Sequence, residues 1–444
     1  MKKINQIIMV CFLVICTSMV LTSSGNSSSN IEFRRISISE AQIEPNNASW
    51  SSNISSNGRY VAFYSAADNL VPEVNPAIVD LFVFDFNLNK LTRITKDEGL
   101  PWWGELSVSL SSDGRFVAFP TYDDDLILGD TNENLDIYVY DQLNKSYERV
   151  SVASDGTEGN GLSQSPVISD DGRYVAFRST SYNITPGQSY DNNAYLHDRP
   201  THETIFIAKN SDTTSISSDG NYIVFHSNNQ YIVNGDTNNA DDVFVFDRTS
   251  GQIERVSVNN VGIQGNDASL FGSISGDGRY VAFVSRASNF VPTTSSIPSN
   301  IFVRDRVFGT TKLVSKSITG TFGNDRSYSP EFSEDGNLIV FSSYATNLIT
   351  EDNNYYCRVD YLENCSDIFL YNMKTESITR ISTTSTGQET NGDSFDPAIS
   401  RDGEIIVFGT EAFNIIIGDT NSVADIYTII FPKTEEIYLP ILLK

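Results

Sequence analysis

Apolar and polar residues alternate along most of this chain in short runs typical of strands, and no stretch shows helical periodicity. One phrase punctuates the pattern: Ser-x-Asp-Gly, or a close variant, followed by an aromatic and apolar run. Its glycines are Gly58, Gly114, Gly172, Gly220, Gly278, Gly336 and Gly403. The spacings between them are 56, 58, 48, 58, 58 and 67 residues. A near-fixed period of this size predicts a repeat architecture rather than separate domains.

Each repeat predicts four strands. The first lies before the glycine, as in 165–169, and the second follows it, as in 174–177. The third is an aromatic and β-branched run that ends at an acid, as in 242–247, and the fourth reads Arg-Val-Ser, as in 255–257. The Asp-Gly step predicts a tight turn between the first two strands. Four short antiparallel strands repeated radially predict an all-β, seven-bladed β-propeller.

The way the ring closes can also be predicted. No Arg-Val-Ser phrase follows the third strand of the last repeat, but Arg34-Arg35-Ile36-Ser37 occurs before the first repeat. We therefore expect segment 33–38 to supply the missing fourth strand of the last blade and to tie the two chain ends together.

The motifs resemble a known family. Ser-x-Asp-Gly-Arg-Tyr-Val-Ala-Phe, Gly-Asp-Thr-Asn, Asp-x-Phe-Val-x-Asp and Arg-Val-Ser are similar to the WD40-like propeller repeats of the TolB-type family, over about residues 33–431. The resemblance implies an extracytoplasmic bacterial binding scaffold, and it carries over no catalytic residue.

The ends of the chain indicate secretion. Residues 1–25 have two lysines, then an apolar run from Ile7 to Leu21 and small residues, which is typical of a signal peptide. The run is too short for a confident membrane span, although an uncleaved anchor stays open. Residues 26–32 are interpreted as a linker. The tail 432–444 is either a terminal tag or a segment packed on the propeller.

The charge narrows the choice of partners. Once the two lysines of the signal are removed, 28 basic residues face 56 acidic ones, a net charge of −28. Such a surface repels phosphate backbones and anionic membranes, so nucleic acid is not an expected partner. The acidity either serves solubility outside the cell or attracts divalent cations or basic partners. A monomer is expected, with an unidentified protein or polysaccharide ligand.

Only two cysteines remain in the mature chain, Cys357 and Cys365, and both lie in the repeat with the longest spacing. A pair in a secreted chain favours a disulfide, which would stabilise an inserted loop by about 2–3 kcal/mol. The alternative is two free thiols.

Propeller topology places the longest loops on one face. These are the links from second to third strand and from blade to blade, such as 65–79, 123–135 and 152–163. Because binding residues concentrate on loops carried by rigid scaffolds, this long-loop face is the expected binding surface.

Three of these loops share Gly-Asp-Thr-Asn-x-x-x-Asp. Their oxygen-bearing residues are Asp130, Asn132 and Asp136; Asp236, Asn238 and Asp242; and Asp419, Asn421 and Asp425. Alternating oxygen ligands suit calcium, but the loops lack the glycine and glutamate of an EF-hand. The alternative is a turn in which the Asp caps local backbone amides.

Adjacent Trp102 and Trp103 are candidate sugar-stacking residues; otherwise they pack under a loop. No Gly-x-Ser-x-Gly elbow occurs. The three histidines, His197, His202 and His226, lack metal-ligand spacing, which argues against a propeller polysaccharide lyase that relies on clustered histidines. No cofactor is expected to be required, and calcium is the one metal considered.

Two hypotheses follow. The favoured one is a non-enzymatic secreted scaffold that binds protein or glycan through its long-loop face. The alternative is a carbohydrate-active enzyme, a glycoside hydrolase or lyase, with acidic residues near the channel mouth.

Overall fold

The computed structural model describes residues 31–72, 78–95, 106–291, 298–350, 352, 355–358 and 363–432, with backbone alone for 355–358 and 363. The strands, in chain order, begin with β1 Glu32–Arg35. Blade 1 has β2 Ser49–Ile54, β3 Tyr60–Ser65, β4 Asp80–Asp85 and β5 Lys90–Arg93; blade 2 has β6 Ser109–Leu110, β7 Phe116–Thr121, β8 Asp136–Asp141 and β9 Ser146–Arg149; blade 3 has β10 Ser163–Ile168, β11 Tyr174–Ser179, β12 Asn193–Asp198 and β13 Glu203–Lys209.

The remaining blades follow the same plan. Blade 4 has β14 Ser211–Ile216, β15 Tyr222–Ser227, β16 Asp242–Asp247 and β17 Gln252–Arg255; blade 5 has β18 Ser269–Ile274, β19 Tyr280–Ser285, β20 Asn300–Asp305 and β21 Thr310–Leu313; blade 6 has β22 Ser327–Phe332, β23 Leu338–Ser343, the inserted hairpin β24 Tyr355–Arg358 and β25 Glu363–Asn364, then β26 Asp367–Asn372 and β27 Ile378–Arg380; blade 7 has β28 Ser394–Ile399, β29 Ile405–Thr410 and β30 Asp425–Ile430.

These strands form seven four-stranded antiparallel sheets, which confirms the predicted seven-bladed all-β propeller. The first strands of the blades face one another around a central channel, and the fourth strands lie outermost. None of the described segments forms a helix with the length and apolarity that a membrane crossing requires.

The N-terminal segment completes blade 7, as predicted. Strand β1 pairs antiparallel with β30, with Phe33 opposite Ile429 and Arg35 opposite Tyr427. The strand covers 32–35 rather than 33–38, but the backbone continues the ladder by one step, since Ile36 N donates to Ile426 O at 2.9 Å. Both ends of the described ring therefore meet in one sheet.

The Ser-x-Asp-Gly phrase forms the turn between first and second strands. In blade 5, Ser275 Oγ donates to Asp277 Oδ1 at 2.6 Å, and Tyr280 N donates back to Ser275 Oγ at 3.0 Å. Gly278 has a φ of +73°, and a Cβ there would lie 2.2 Å from the ring of Tyr222 in the preceding blade. The phrase is thus both a turn and a contact between blades.

These turns close one end of the channel. In blades 2 to 5, the second residue of the phrase hydrogen-bonds through its backbone to the corresponding residue of the next blade: Ser112 N to Asp170 O at 2.9 Å, Asp170 N to Ser218 O at 3.0 Å, Ser218 N to Gly276 O at 3.1 Å, and Gly276 N to Glu334 O at 2.9 Å. A Cβ on Gly276 would lie 2.5 Å from the Glu334 side chain, so the turns are closely packed at this end of the channel.

Candidate functional site

Each Gly-Asp-Thr-Asn loop surrounds an arginine from the Arg-Val-Ser phrase. In blade 2, Arg149 Nη1 lies 2.9 Å from Asp130 Oδ1 and 3.7 Å from Asp136 Oδ2. Asn132 donates its amide to Asp136 at 2.9 Å, and its Oδ1 accepts from Asn134 N at 2.7 Å. The Asn132 side chain thus donates from its nitrogen to the Asp136 carboxylate and accepts a backbone hydrogen bond at its oxygen.

The same arrangement recurs in blades 4 and 7. Nitrogen–oxygen distances are 3.1 Å from Arg255 to Asp236 and 3.4 Å to Asp242, and 3.3 Å from Arg35 to Asp419 and 3.1 Å to Asp425. Asn238 and Asn421 each donate to the later Asp of their loop at 3.2 Å. Burial raises the pKa of Asp136 and of Asp425 to about 6, and it also raises the pKa of Asp242.

Sequence differences among the blades indicate which group balances the charge of the buried loop carboxylates. Blades 3 and 5 begin their third strands with Asn193 and Asn300, where the other blades have Asp. In those two blades the arginine position is taken by Phe206 and Leu313, read from the strand register. Carboxylate and arginine are thus lost together. The geometry favours an internal ion pair over calcium at these loops, and calcium occupancy stays a prediction.

A second departure from the repeat lies at the channel mouth. In every blade except blade 2, the second residue of the first strand faces the fifth residue of the second strand. In four blades this pair is aromatic, aliphatic or small: Trp50 and Tyr64, Leu270 and Val284, Tyr328 and Ser342, Phe395 and Gly409. In blades 3 and 4 it consists of hydrogen-bonding or charged residues: Gln164 and Arg178, Asp212 and His226.

We call these four side chains the mouth cluster, and three of them form a hydrogen-bonded network across two blades. Arg178 Nη1 donates to Asp212 Oδ2 at 2.6 Å, and Arg178 Nη2 donates to Gln164 Oε1 at 2.7 Å. The ring of His226 packs edge-on against Phe271, with centroids 5.5 Å apart. The cluster thus places charged and amide groups where the four blades named above have aromatic, aliphatic or small residues.

The loop that would cover the mouth cluster is missing. Strand β13 ends at Lys209 and β14 begins at Ser211, so Asn210 alone, at φ 52°, joins blades 3 and 4. The equivalent link from β9 to β10 contains 150–162. The short link explains the 48-residue spacing seen in the sequence, and it opens a notch over blades 3 and 4.

The notch has a volume of about 540 Å³ and is lined by Arg178, Asp212, His226 and Tyr190. Tyr190 packs edge-on against Tyr182, with centroids 4.6 Å apart, and these rings are 67% and 42% exposed. The notch shares Asp212 and His226 with the central channel, whose volume is about 660 Å³. The notch and the channel therefore adjoin at this pair of side chains.

Two carboxyl groups line the channel below the notch. Glu331 of blade 6 accepts from Ser273 Oγ at 3.0 Å, and burial raises the Glu331 pKa to about 7. Asp396 of blade 7 has a φ of 47°, and burial also raises its pKa. Both lie on first strands, at the β-bulge next to a proline.

A groove of about 830 Å³ also lies on the long-loop face and is lined by Arg255 and Arg304. Its arginines make contacts that recur in the repeat, since Arg255 pairs with Asp236 and Arg304 donates to Thr311 Oγ1 at 3.2 Å. We place the candidate binding site at the notch, where the lining residues depart from the repeat.

Two of the histidines lie close together, although their spacing along the chain does not indicate it: donor atoms of His197, His202 and Glu148 lie within 4.8 Å of one another. A turn returns His202 beside His197, and a neighbouring blade supplies the carboxylate. His226 lies apart, in the mouth cluster, where only comparison of the repeats could have identified it.

Two other sets of residues stay predictions. Trp102 and Trp103 lie outside the described residues. Cys365 is buried and follows β25, which pairs with the strand β24 that contains Cys357, and the side chain of Cys357 is outside the described part. The pairing of these strands is compatible with the predicted disulfide.

Comparison with known proteins supports the fold. No family model matches the chain. No curated protein matches its sequence. The β-propeller domain of the Trilobed protease from Pyrococcus furiosus is similar at 12% identity and a TM-score of 0.53, over 89% of this chain and 98% of that one. The oligogalacturonate lyase from Vibrio parahaemolyticus gives 13% identity and a TM-score of 0.51, over 92% and 98%.

TolB from Acinetobacter baumannii is a more distant match in shape. It shares 16% identity with a TM-score of 0.43, and the match covers 73% of this chain but only 64% of that protein. Identities this low carry over a fold and no activity. Function has to be argued from the site.

Proposed function

We propose that this protein is a secreted binding propeller that recognises a neutral saccharide at the notch over blades 3 and 4. The observation that carries the proposal is the mouth cluster: four polar side chains replace the repeat's usual residues, next to exposed tyrosines, where a blade-to-blade loop is missing. A concave site of a few hundred Å³ with a small number of directed polar groups is typical of small-ligand recognition.

The chemistry of the notch favours a sugar. Aromatic rings give a saccharide ring a flat apolar surface, and Tyr190 and Tyr182 provide such rings at the rim. Planar side chains that line the notch, such as the Asn228 amide and the Arg178 guanidinium, offer directed hydrogen bonds to hydroxyl groups. Because Arg178 is already neutralised by Asp212 and the protein carries a large net negative charge, an uncharged ligand fits better than an anionic one.

A glycan array with the full mature chain tests the proposal, followed by calorimetric titration of any retained oligosaccharide. We expect Tyr190→Ala and Tyr182→Ala to weaken binding about tenfold or more, which is about 1.4 kcal/mol. The matched control is Phe413→Ala. Phe413 is 56% exposed and occupies the same loop position in blade 7, since its N–H bonds Asn391 Oδ1 as that of Tyr182 bonds Asn160 Oδ1.

Two results would overturn the proposal. One is the absence of any retained glycan. The other is an equal loss of affinity in Phe413→Ala, which would show that the ligand contacts the long-loop face at large rather than the notch.

A second candidate function rests on Glu331. A carboxyl group with a pKa of about 7 in a channel is suited to general acid–base catalysis on a polysaccharide. An assay for new reducing ends and unsaturated products, run with wild type and Glu331→Gln, separates the two functions. Product formation that is lost in Glu331→Gln would favour an enzyme.

We also propose an extracytoplasmic location, supported by the signal-like segment 1–25. Sequencing the N-terminus of protein recovered from a secreting bacterial host tests it. A mature chain that begins near residue 26 is expected, whereas an intact Met1 in the cytoplasm would contradict it.

A further inference from the structure

Two histidines and one glutamate meet between blades 2 and 3, at the side of the short turns and away from the notch. His197 is the last residue but one of the third strand of blade 3, His202 lies in the following turn, and Glu148 comes from the fourth strand of blade 2. One donor atom of each lies within 4.8 Å of the others. Imidazole nitrogen and carboxylate oxygen are zinc ligands in proteins.

Hydrogen bonding fixes the tautomer of His197. Its Nδ1 lies 2.8 Å from Thr204 Oγ1, and that hydroxyl donates its single proton to Val152 O at 2.6 Å. Since the hydroxyl proton is already used, Nδ1 has to carry the ring proton and donate to Thr204. Nε2 is then the unprotonated nitrogen through which His197 can bind a metal.

The repeats support this assignment independently. Arg304 takes the position of His197 in blade 5, and it can only donate. Its Nη1 donates to Thr311 Oγ1 at 3.2 Å, and Thr311 donates to Val258 O at 2.5 Å. In both blades a side-chain nitrogen on the third strand donates to the threonine hydroxyl, and that hydroxyl donates to a backbone carbonyl; we call this arrangement the hydroxyl relay. The residue at the His197 position is therefore a donor in both blades.

Packing also holds the His197 ring in place, since the side chain is 1% exposed. A histidine oriented through its other nitrogen by a hydrogen-bond partner is the usual arrangement at metal sites.

Glu148 and His202 complete the set. Arg199 donates to Glu148 from both Nε and Nη2, at 2.8 and 2.7 Å, and both bonds end on Oε2. Arg199 thus orients the carboxylate while leaving Oε1 to the cluster, although its charge will reduce the affinity for a cation. His202 occupies a turn position with φ 58°, where blade 1 has Asn89 at φ 50°.

We propose that Glu148, His197 and His202 bind one divalent transition-metal ion, with zinc the best match for two imidazoles and a carboxylate. Three protein ligands leave the fourth position of a tetrahedral ion to water. The site is separate from the notch, so its occupancy does not depend on the saccharide proposal.

Cobalt is the probe for this site, because its visible absorption reports tetrahedral coordination. The full mature chain, purified without a histidine tag and freed of metal by a chelator, is titrated with Co²⁺ and then with Zn²⁺ as competitor. We expect one Co²⁺ per chain, displaced by one Zn²⁺.

Three variants test whether the proposed residues, rather than other groups of the protein, bind the ion. His202→Asn retains the residue found at this turn in blade 1, so the fold should be kept, and we expect Co²⁺ affinity to fall at least tenfold with loss of the tetrahedral bands. Thr204→Val removes the hydroxyl relay and should weaken binding about tenfold. His226→Ala, at the one remaining histidine, is the control and should bind as wild type.

The proposal is overturned if wild type does not bind Co²⁺, or if His202→Asn binds it as tightly as wild type. Loss of binding in His226→Ala together with full binding in His202→Asn would place the metal in the mouth cluster instead.

Discussion

The buried ion pairs of the long-loop face predict that a single substitution will lower the stability of the fold by several kcal/mol. In blade 4, Arg255 faces Asp236 and Asp242, whose side chains are 3% and 0% exposed. Arg255→Leu would leave two buried carboxylates without their cation. Removing one partner of a buried pair costs about 3–5 kcal/mol, because the remaining charge stays desolvated.

The size of the thermal effect follows from the length of the propeller. Unfolding entropy of about 2.1 cal/mol/K per residue over roughly 400 residues gives about 0.8 kcal/mol/K, so a loss of about 4 kcal/mol lowers Tm by about 5 °C. Differential scanning calorimetry at pH 8 measures this decrease in Tm.

Blade 5 of the same chain supplies the control. It has Asn300 and Leu313 where blade 4 has Asp242 and Arg255. The triple variant Asp236→Asn/Asp242→Asn/Arg255→Leu removes the charges together and should recover most of the lost stability. If the triple variant were as unstable as Arg255→Leu, the loss would come from packing and our reasoning would be wrong.

The pH dependence gives a second check. Burial already raises the pKa of Asp242, and without Arg255 the pKa should rise further. An acid with a higher pKa in the folded than in the unfolded state binds protons on folding, so stability rises as pH falls through that interval. The Tm difference between Arg255→Leu and wild type should therefore shrink from pH 8 towards pH 5. A difference that stays constant would refute the electrostatic explanation.

Three further predictions concern the turns, the cysteines and calcium. Gly278→Ala should lower Tm more than Gly262→Ala, because both glycines have positive φ but only Gly278 would press a Cβ against Tyr222; equal losses in calorimetry would contradict this. If the cysteines are paired, Cys357→Ser should lower the free energy of unfolding, measured in urea, by about 2–3 kcal/mol, and reduction of the wild type should have the same effect. An unchanged free energy of unfolding would favour free thiols. Chelation followed by added calcium should leave Tm unchanged, since arginine already lies among the loop carboxylates; a clear rise with calcium would restore the metal interpretation.

The sequence determined the architecture because the repeat encodes it locally. The Ser-x-Asp-Gly turn, the aromatic second strand and the Arg-Val-Ser fourth strand each specify a strand or turn from a few neighbouring residues. Counting them predicted seven blades, and the position of the spare Arg-Val-Ser phrase at 34–37 predicted closure through the N-terminus. Each of these predictions depends on hydrogen bonds within one blade or between its nearest neighbours.

The tertiary structure decided what the polar residues do. Spacing alone does not show that Arg149, from a later strand, lies between the carboxylates of its Gly-Asp-Thr-Asn loop. His226 and Arg178 lie 48 residues apart, and His197 and Glu148 lie 49 apart, so no local pattern joins them. Packing one blade against the next places His226 and Arg178 on one pocket wall and brings donor atoms of His197 and Glu148 within 4.8 Å. That packing is a property of the closed ring rather than of any single repeat.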